Sequence, residues 1–247
     1  MAVARHDFRT PRLYLEGDLK PGGELLLGRE AMNYLRNVLR LDSGAEVLIF
    51  NGRDGEWRAR LIPASRRETR LSVLQQTRPQ TAAGELHYAF APLKHARLDF
   101  MVQKAVEMGA GRLSPVITRH TQVARVNLDR MRANVIEAAE QCGIIALPEI
   151  EAPMRFSDWL AGARDRVIVF CDEEAETRDP VAALARAPAG KLTLLIGPEG
   201  GFAEEERAAL LTLSSVVRLS LGPRILRADT AAVAALALVQ AARGDWR

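Results

Sequence analysis

Two glycine-containing segments in the second half of this 247-residue chain have the composition of ligand-binding loops. The first, Leu195–Phe202, reads LIGPEGGF and is followed by three glutamates at 204–206; the second, Leu219–Thr230, reads LSLGPRILRADT. Glycine lets the backbone turn with positive φ or approach a ligand closely. Each segment follows an apolar run and precedes a stretch of helical periodicity, which is typical of a loop between a strand and a helix.

The charges in these loops restrict the ligand. Neither segment ends in the Gly-Lys-Ser/Thr of a phosphate-binding loop, and neither has the G-x-G-x-x-G spacing of a dinucleotide site. Glu199 and the glutamates at 204–206 would repel a pyrophosphate from the N-terminus of the following helix. A nucleoside without phosphates that carries a positive charge fits better, and S-adenosylmethionine is such a ligand. The alternative is that both loops are tight strand-to-helix turns without a ligand.

The elements that position these loops begin at Leu86, after which strand-like and helical runs alternate. Strands are predicted at Leu86–Ala91, Leu113–Thr118, Arg166–Cys171, Leu192–Ile196 and Val216–Leu221. Helices are predicted at Arg97–Met108, Leu128–Cys142, Val181–Ala187, Glu204–Leu213 and Thr230–Arg243. This alternation predicts an α/β domain with a mostly parallel sheet covered on both faces. Ligands of such sheets lie beyond the carboxyl ends of the strands, where both loops begin.

The first 77 residues read instead as short strands, at 13–15, 24–27, 45–50, 56–62 and 69–75. The glycine-bearing segment Asn51–Gly55 predicts a hairpin loop. One helix is predicted from Arg29 to Arg40, and its core-facing positions are Met32, Leu35, Val38 and Leu39. We therefore predict a small β-barrel-like domain over 1–77, a linker over 78–84 and the α/β domain over 85–247.

The positive charge of the chain is almost all arginine, and the formal net charge is +3. The excess lies in the first 80 residues. The planar guanidinium suits phosphate oxygens and stacks on bases, so a basic first segment favours a nucleic-acid partner. An ordinary solvated surface would have the same composition, and this interpretation stays open on charge alone.

Composition also argues against several classes of protein. The longest apolar run, Ala231–Val239, is far shorter than the roughly 18 residues of a membrane span, and the N-terminus lacks the apolar segment of a secretory signal. Cys142 and Cys171 are too few for a disulfide framework or a four-ligand zinc site, and the four histidines have no ligand spacing. We predict a reduced, cytoplasmic setting, with no membrane and no metal.

Several blocks of sequence occur in the order of a known family. They are Arg12–Tyr14, Val38–Arg40, Gln103–Gly109 (QKAVEMG), Glu140–Gly143 (EQCG), Pro148–Ile150, Leu195–Phe202 and Leu221–Arg227 (LGPRILR). Together they closely resemble the RsmE-type 16S ribosomal RNA uridine-N3 methyltransferases of the SPOUT class. The segment Ile144–Leu147 departs from the family, because it is wholly apolar where basic residues are usual.

The resemblance implies a fold, a cofactor and partners. It implies a PUA-like β-barrel followed by a SPOUT α/β domain, in which the last strands and the C-terminal helix thread a trefoil knot. It implies S-adenosylmethionine as cofactor, a homodimer, and 16S rRNA within the small ribosomal subunit as substrate. The alternatives are a SPOUT methyltransferase of another rRNA base or of tRNA, and a non-catalytic RNA-binding assembly factor. A dinucleotide oxidoreductase is disfavoured by the glutamate-rich loop.

The resemblance also assigns roles within the two loops. The cofactor is expected to contact Ile196, Gly197, Gly201, Leu219, Leu221, Gly222 and Leu226. N3 methylation needs an unpaired or extruded uridine, since that edge is hidden in a base pair. Arg227 is expected to hold the uracil carbonyl or an adjacent phosphate. Glu199 and Asp229 are candidate proton acceptors by location, and solvent hydroxide is the other route.

Basic residues on both domains are expected to follow the RNA backbone. On the first domain these residues are Arg12, Arg36 and Arg40, and on the second they are Lys94, Arg97, Lys104 and Arg119. Surface solvation without RNA contact is the competing interpretation for each of them.

Overall fold

The computed structural model describes residues 7–63, 68–123, 125–176 and 179–246. The chain divides into two compact units. The first unit comprises residues 1–82 together with 139–147, and the second comprises 83–138 together with 148–247. The division is thus not contiguous along the chain, unlike the single boundary predicted from composition.

The first unit contains a five-stranded sheet. Its strands are β1 (Arg12–Tyr14), β2 (Glu24–Leu26), β3 (Glu46–Phe50), β4 (Glu56–Pro63) and β5 (Thr69–Arg78), in the order β1-β3-β4-β5-β2. All neighbouring strands are antiparallel except β1 and β3. Strand β5 alternates buried Leu71 and Val73 with more exposed positions, as expected when one face covers a core. This strand extends to Arg78, so the first residue of the predicted linker belongs to the sheet.

The predicted helix at 29–40 differs from a regular α-helix. Helix α1 covers Arg29–Asn33, and the next five residues, Tyr34–Val38, form a π-helical turn. The amide of Leu39 donates to Tyr34 O, five residues back, at 2.9 Å. The extra residue in this turn rotates the following positions by about 100°, given 3.6 residues per α-helical turn. The prediction that Val38 faces the core was therefore wrong: its side chain is 61% exposed, whereas Leu39 packs on the core.

Residues 139–147 complete the apolar packing of the first unit. Ala139 and Ile145 are buried against Phe50, and Ile144 and Leu147 pack on the same cluster. Hydrogen bonds from Tyr14, Gln80 and Arg12 also hold this segment. The amide of Tyr14 donates to Glu140 Oε1 at 2.8 Å, and Gln80 Nε2 donates to Ile145 O at 3.3 Å. The apolar loop that departs from the family pattern is thus core-forming in this chain.

The second unit has a seven-stranded parallel sheet, as the alternating pattern predicts. Its strands are β6 (His87–Phe90), β7 (Arg112–Ile117), β8 (Glu149–Ile150), β9 (Met154–Arg155), β10 (Val167–Cys171), β11 (Leu192–Ile196) and β12 (Val216–Leu219). The order is β12-β10-β11-β6-β7-β8, and β9 pairs with β7. All five residues of β11 are buried, which explains its nearly unbroken apolar sequence.

Helices separate these strands along the chain. They are α2 (His95–Glu107), α3 (Leu128–Cys142), α4 (Phe156–Gly162), α5 (Pro180–Ala185), α6 (Glu204–Leu211) and α7 (Ala228–Arg243). The short elements β8, β9 and α4 have no counterpart in the prediction, because two-residue strands carry no periodicity. Strand β12 ends at Leu219, two residues before its predicted end, and so lengthens the loop that follows.

Candidate active site

Both predicted loops open at the same edge of the sheet of the second unit. Strand β10 lies between β11 and β12 and pairs in parallel with each of them. The carboxyl ends of the three strands are therefore neighbours, and the loops that follow β11 and β12 meet there. They enclose a cavity of about 250 Å³. This volume is close to the lower end of the roughly 300–1,000 Å³ of small-molecule sites.

The cavity wall contains every residue predicted to contact a cofactor. These residues are Ile196, Gly197, Gly201, Leu219, Leu221, Gly222 and Leu226. Glu199 and Arg227 also line the cavity, and α7 contributes Ala228 and Ala231 from its first turns. The other predicted catalytic residue, Asp229, lies in the first turn of α7 and joins the site through an ion pair.

Two positions in the wall favour glycine for different reasons, Gly197 because of the space around it and Gly222 because of its backbone conformation. A Cβ on Gly197 would lie 2.6 Å from the ring of Phe202, which packs into the core against Phe156 and Phe170. Gly222 has a φ of +99°, and nothing lies within 4 Å of the position that a Cβ would take. Gly197 thus allows the loop to fold back on its own aromatic ring, and Gly222 sets the turn that opens the second loop.

Arg97, at the start of α2, connects the two candidate proton acceptors. Its Nε and Nη2 donate to the two carboxylate oxygens of Asp229 at 3.0 and 3.1 Å, and its Nη1 donates to Glu199 Oε1 at 2.8 Å. Hydrogen bonds from Arg97 hold the pKa of Asp229 below its usual value, and the same bonds raise the pKa of Arg97. One guanidinium therefore links the loop after β11 to the N-terminus of α7.

A second ion cluster is centred on Asp172, a cavity-lining residue that directly follows β10. Asp172 is 2% exposed, and it accepts from Arg218 Nε at 2.7 Å and from Arg207 Nη2 at 3.3 Å. Burial alone would raise the pKa of Asp172, but the hydrogen bonds from Arg218 and Arg207 outweigh burial and lower it. Arg207 lies on α6 and Arg218 on β12, so Asp172 ties together the elements that carry both loops.

Sequence reasoning missed this third strand end. Cys171, Asp172 and Glu173 all line the cavity. The signal was present, because the strand ending at Cys171 was predicted, but its place between the two loop-bearing strands was not. Burial raises the pKa of the Cys171 thiol to about 12, so the side chain is a neutral part of the wall and not a nucleophile.

Comparison with known proteins identifies the family. The model of an RNA methyltransferase domain matches residues 80–240, and that of an RNA methyltransferase PUA domain matches 27–74. Ribosomal RNA small subunit methyltransferase E of Synechocystis is 30% identical over 221 residues, covering 85% of this chain and 70% of the relative. The chain belongs to the ribosomal RNA small subunit methyltransferase E family.

Further members of the family match over nearly the full length. The enzyme of Rickettsia conorii is 29% identical over 230 residues, which is 93% of this chain and 94% of the relative. The crystal structure of the Neisseria gonorrhoeae enzyme bound to S-adenosyl methionine has a TM-score of 0.83 at 27% identity, covering 96% of this chain and all of the other. The predicted family and the α/β fold with a PUA domain are thus confirmed.

Of the basic residues predicted to contact RNA, Arg12 is the one whose position in the structure argues most clearly against that contact. Its side chain is 4% exposed, and Nε donates to Glu56 Oε2 at 2.7 Å. Arg78 donates to the same carboxylate at 2.6 Å. The arginine of the RLY block therefore neutralises a buried glutamate, and phosphates cannot reach it in this structure.

The other six basic residues differ in their exposure and in the contacts that they already make within the protein. Arg97 holds the two carboxylates described above, and Lys104 donates to Glu107 at 2.6 Å. Lys94, Arg40 and Arg119 are exposed, and Arg36 is half-buried. Arg40 has a φ of +54°, which ends the π-helical turn. Contact of these residues with RNA stays a prediction.

The described residues offer neither a metal centre nor a membrane-spanning helix. Among the described residues, no group of three or more His, Cys, Asp or Glu side chains is placed to hold a metal ion. No helix within the described ranges combines the length and apolarity needed to cross a bilayer.

Proposed function

We propose that the chain transfers the methyl group of S-adenosylmethionine to N3 of a uridine in 16S rRNA. One observation carries the proposal: the two family loops close a single cavity at the carboxyl ends of β10, β11 and β12. The relative from Neisseria gonorrhoeae, which shares this fold, was solved with S-adenosyl methionine.

The residues of the cavity fit this cofactor. Backbone groups at glycine-rich strand ends, with Ile196, Leu219 and Leu226 around them, suit an adenosine that is enclosed by apolar side chains and recognised through its polar edge. The wall contains carboxylates and no phosphate cradle, which suits a ligand with a positive centre. When bound, the cofactor supplies a methyl group activated by a sulfonium. The residues of this chain must then enclose it and exclude water.

Arg227 is the best-placed group for the substrate. It is exposed at the cavity wall, and within the described part of the chain its guanidinium has no hydrogen-bond or ion-pair partner. Its carbonyl accepts from the amide of Ala231 at 2.8 Å, so the backbone is fixed by α7 while the side chain stays available. We propose that it holds the extruded uracil and stabilises negative charge that develops on the base.

Alignment of the base with the methyl group supplies much of the acceleration. Fixing two reactants in a productive geometry contributes roughly 7–11 kcal/mol in favourable cases. Asp229 is a weak proton acceptor because Arg97 lowers its pKa, and we assign it to positioning the loop. Glu199, with a side chain 40% exposed, is the better candidate, and solvent hydroxide remains the other route for the N3 proton.

The finer features implied by family membership belong to the same proposal. We propose that the five-stranded sheet of the first unit closes as a PUA-like barrel and that the chain after β11 threads a trefoil knot. We also propose that two copies form the active homodimer, in the cytoplasm where small subunits assemble. The RNA methyltransferase PUA domain matched at 27–74 supports the first of these statements.

The direct test is methyl transfer to small ribosomal subunits from a strain that lacks the modification. The expected result is one methyl group on one uridine of 16S rRNA, located by mass mapping after incubation with S-adenosylmethionine. Calorimetry with the cofactor alone gives the binding step. Cofactor binding with every RNA left unmodified would indicate a binding factor, and a methyl group on another base or on tRNA would indicate a different member of the class.

A further inference from the structure

A short segment after β7 contacts the glycine-rich loop from outside the cavity. Residues 118–121 form a tight turn, in which the amide of Thr118 donates to Thr121 Oγ1 at 2.9 Å and the amide of Thr121 donates to Thr118 O at 3.2 Å. Strand β7 and strand β11 both belong to the parallel sheet, so this turn leaves the same edge as the loop at 197–203.

His120 is the side chain that makes the contact. Its Nδ1 lies 3.2 Å from Gly200 O and 3.1 Å from Gly201 O. Both partners are carbonyls and can only accept, so the geometry requires a proton on Nδ1. The neutral ring with its proton on Nδ1 and the imidazolium both satisfy this requirement.

A second link joins the same two segments. Glu206, in the first turn of α6, accepts from the amide of Arg119 at 2.9 Å through Oε1 and from the amide of Ala203 at 3.0 Å through Oε2. The loop is therefore held at Gly200–Gly201 by His120 and at its end by Glu206. Neither glycine has a side chain of its own with which to fix its conformation, and Gly201 needs a φ of +69°.

We propose that His120 is a positioning residue for cofactor binding. By donating Nδ1–H to the carbonyls of Gly200 and Gly201, it holds the backbone of Gly201 in the cavity wall before the cofactor arrives. It acts through this loop and not on the reacting atoms. The inference rests on the proposed function, since the cavity is the proposed cofactor site.

The test compares His120→Ala with His120→Asn, whose side-chain amide keeps a donor at the position of Nδ1. Loss of one hydrogen bond predicts about 3- to 10-fold weaker S-adenosylmethionine binding in His120→Ala. We expect His120→Asn to bind within about twofold of the wild type. Gln122→Ala, an exposed position in the same segment, is the matched control and should bind like the wild type.

Turnover separates positioning from proton transfer. At saturating cofactor, His120→Ala should lose less than about threefold in kcat, and His120→Asn should match the wild type. A His120→Asn variant that binds cofactor normally but loses turnover by much more than threefold would show that the imidazole is needed for chemistry, and would overturn the proposal. Unchanged cofactor affinity in His120→Ala would also overturn it.

Hydrogen exchange tests the same contact without any ligand. Backbone amides of Gly200, Gly201 and Phe202 should exchange faster in His120→Ala than in the wild type, and Gln122→Ala should show no change. Equal exchange in His120→Ala and the wild type would contradict the proposal. If the wild type failed to bind S-adenosylmethionine, the proposed function would fail, and faster exchange in the variant would still establish the contact.

Discussion

Two of the arginine–carboxylate clusters in this molecule have opposite compositions. In the first unit, one glutamate, Glu56, lies between Arg12 and Arg78 and is almost fully buried. In the second unit, one arginine, Arg97, lies between Asp229 and Glu199 and is 33% exposed. The first cluster has one positive charge in excess and the second has one negative charge in excess.

The degree of burial decides which of these two arginines can serve the reaction. Sequence reasoning assigned Arg12 and Arg97 to the same RNA-binding surface. A guanidinium that neutralises a buried carboxylate is fixed by the cost of leaving that carboxylate unpaired, so Arg12 stabilises the fold. Arg97 holds two partly exposed carboxylates beside the cavity. It therefore controls their position, while its ion pairs contribute little to the stability of the fold.

The greatest change should be a loss of folding stability when the buried Glu56 cluster is broken. Glu56→Ala leaves two guanidinium groups without their carboxylate, and breaking a buried ion pair in this way costs about 3–5 kcal/mol in the free energy of unfolding. Urea denaturation measures the loss. Glu46→Ala, which removes a solvent-screened pairing with Arg58 and Arg60 in the same sheet, should cost far less and is the control. Equal losses of stability in Glu56→Ala and Glu46→Ala would show that burial does not make the Glu56 cluster stronger than a solvent-screened one.

The same cluster predicts a pH dependence. Burial would raise the pKa of Glu56, but hydrogen bonds from Arg78, Arg12 and Thr77 lower it below the ordinary value of 4.5. A carboxylate with a depressed pKa in the folded state stabilises the protein above the unfolded-state pKa. That stability is lost as the pH falls from 4.5 through the folded-state value. Glu56→Gln should therefore lose less stability than the wild type between pH 6 and pH 3.

The next prediction concerns Arg227, which belongs to neither of these two clusters. Arg227→Ala should bind S-adenosylmethionine nearly as well as the wild type and lose about 100-fold or more in turnover, the usual cost of one donor to a developing anion. Calorimetry and methyl-transfer assays measure the two quantities. Arg224→Ala, another exposed arginine at the cavity, is the matched control with a smaller loss. Unchanged turnover would exclude Arg227 from the mechanism.

Substitution of Arg97 should affect activity more than stability, the opposite of what is expected for Arg12. Arg97→Ala frees Asp229 and Glu199, so we expect about a tenfold loss of turnover from misplacement of the loops, with little change in the urea midpoint. Arg97→Lys keeps the charge but loses the two-point hydrogen bond to Asp229, and it should recover only part of the activity. A large loss of stability in Arg97→Ala would place this cluster in the same class as Glu56.

The smallest effect is on RNA affinity. Each phosphate contact contributes about 0.7 to the magnitude of the salt slope for single-stranded RNA. Arg36→Ala and Arg40→Ala should each reduce the magnitude of the slope of log K against log salt by about that amount, whereas Arg12→Gln, which removes the charge but keeps a donor, should leave it unchanged. Filter binding of 16S rRNA at several salt concentrations gives the slopes. A reduced slope in Arg12→Gln alone would reverse the assignment of these residues.

Much of the fold could be predicted because the relevant signals are local. The apolar run of β11 and the glycine-rich turn after it identify a buried strand and its loop from ten consecutive residues, Leu192–Gly201. The loop after β12 has the same kind of signal. Parallel strands present their carboxyl ends at one edge of the sheet. The two loops together with this rule of topology were therefore enough to predict where the cavity wall lies.

What the sequence did not reveal depends on contacts between distant residues. The partner of Arg12 is Glu56, 44 residues away, and no spacing rule connects them. Asp172 became part of the site only through the position of β10 between two other strands. The exposure of Val38 follows from a single inserted residue, which a search for a 3.6-residue period cannot detect.

The assignment of residues 139–147 to the first unit bears on the order of events during synthesis. The sheet of that unit is complete once Arg78 has left the ribosome, yet the side chains that cover Phe50 are translated about sixty residues later. Until then an aromatic face is open to water and to other nascent chains. A fragment ending at residue 82 would keep that face exposed permanently. The natural order of translation therefore makes the N-terminal strands wait for the end of α3 and the segment after it before they can finish folding.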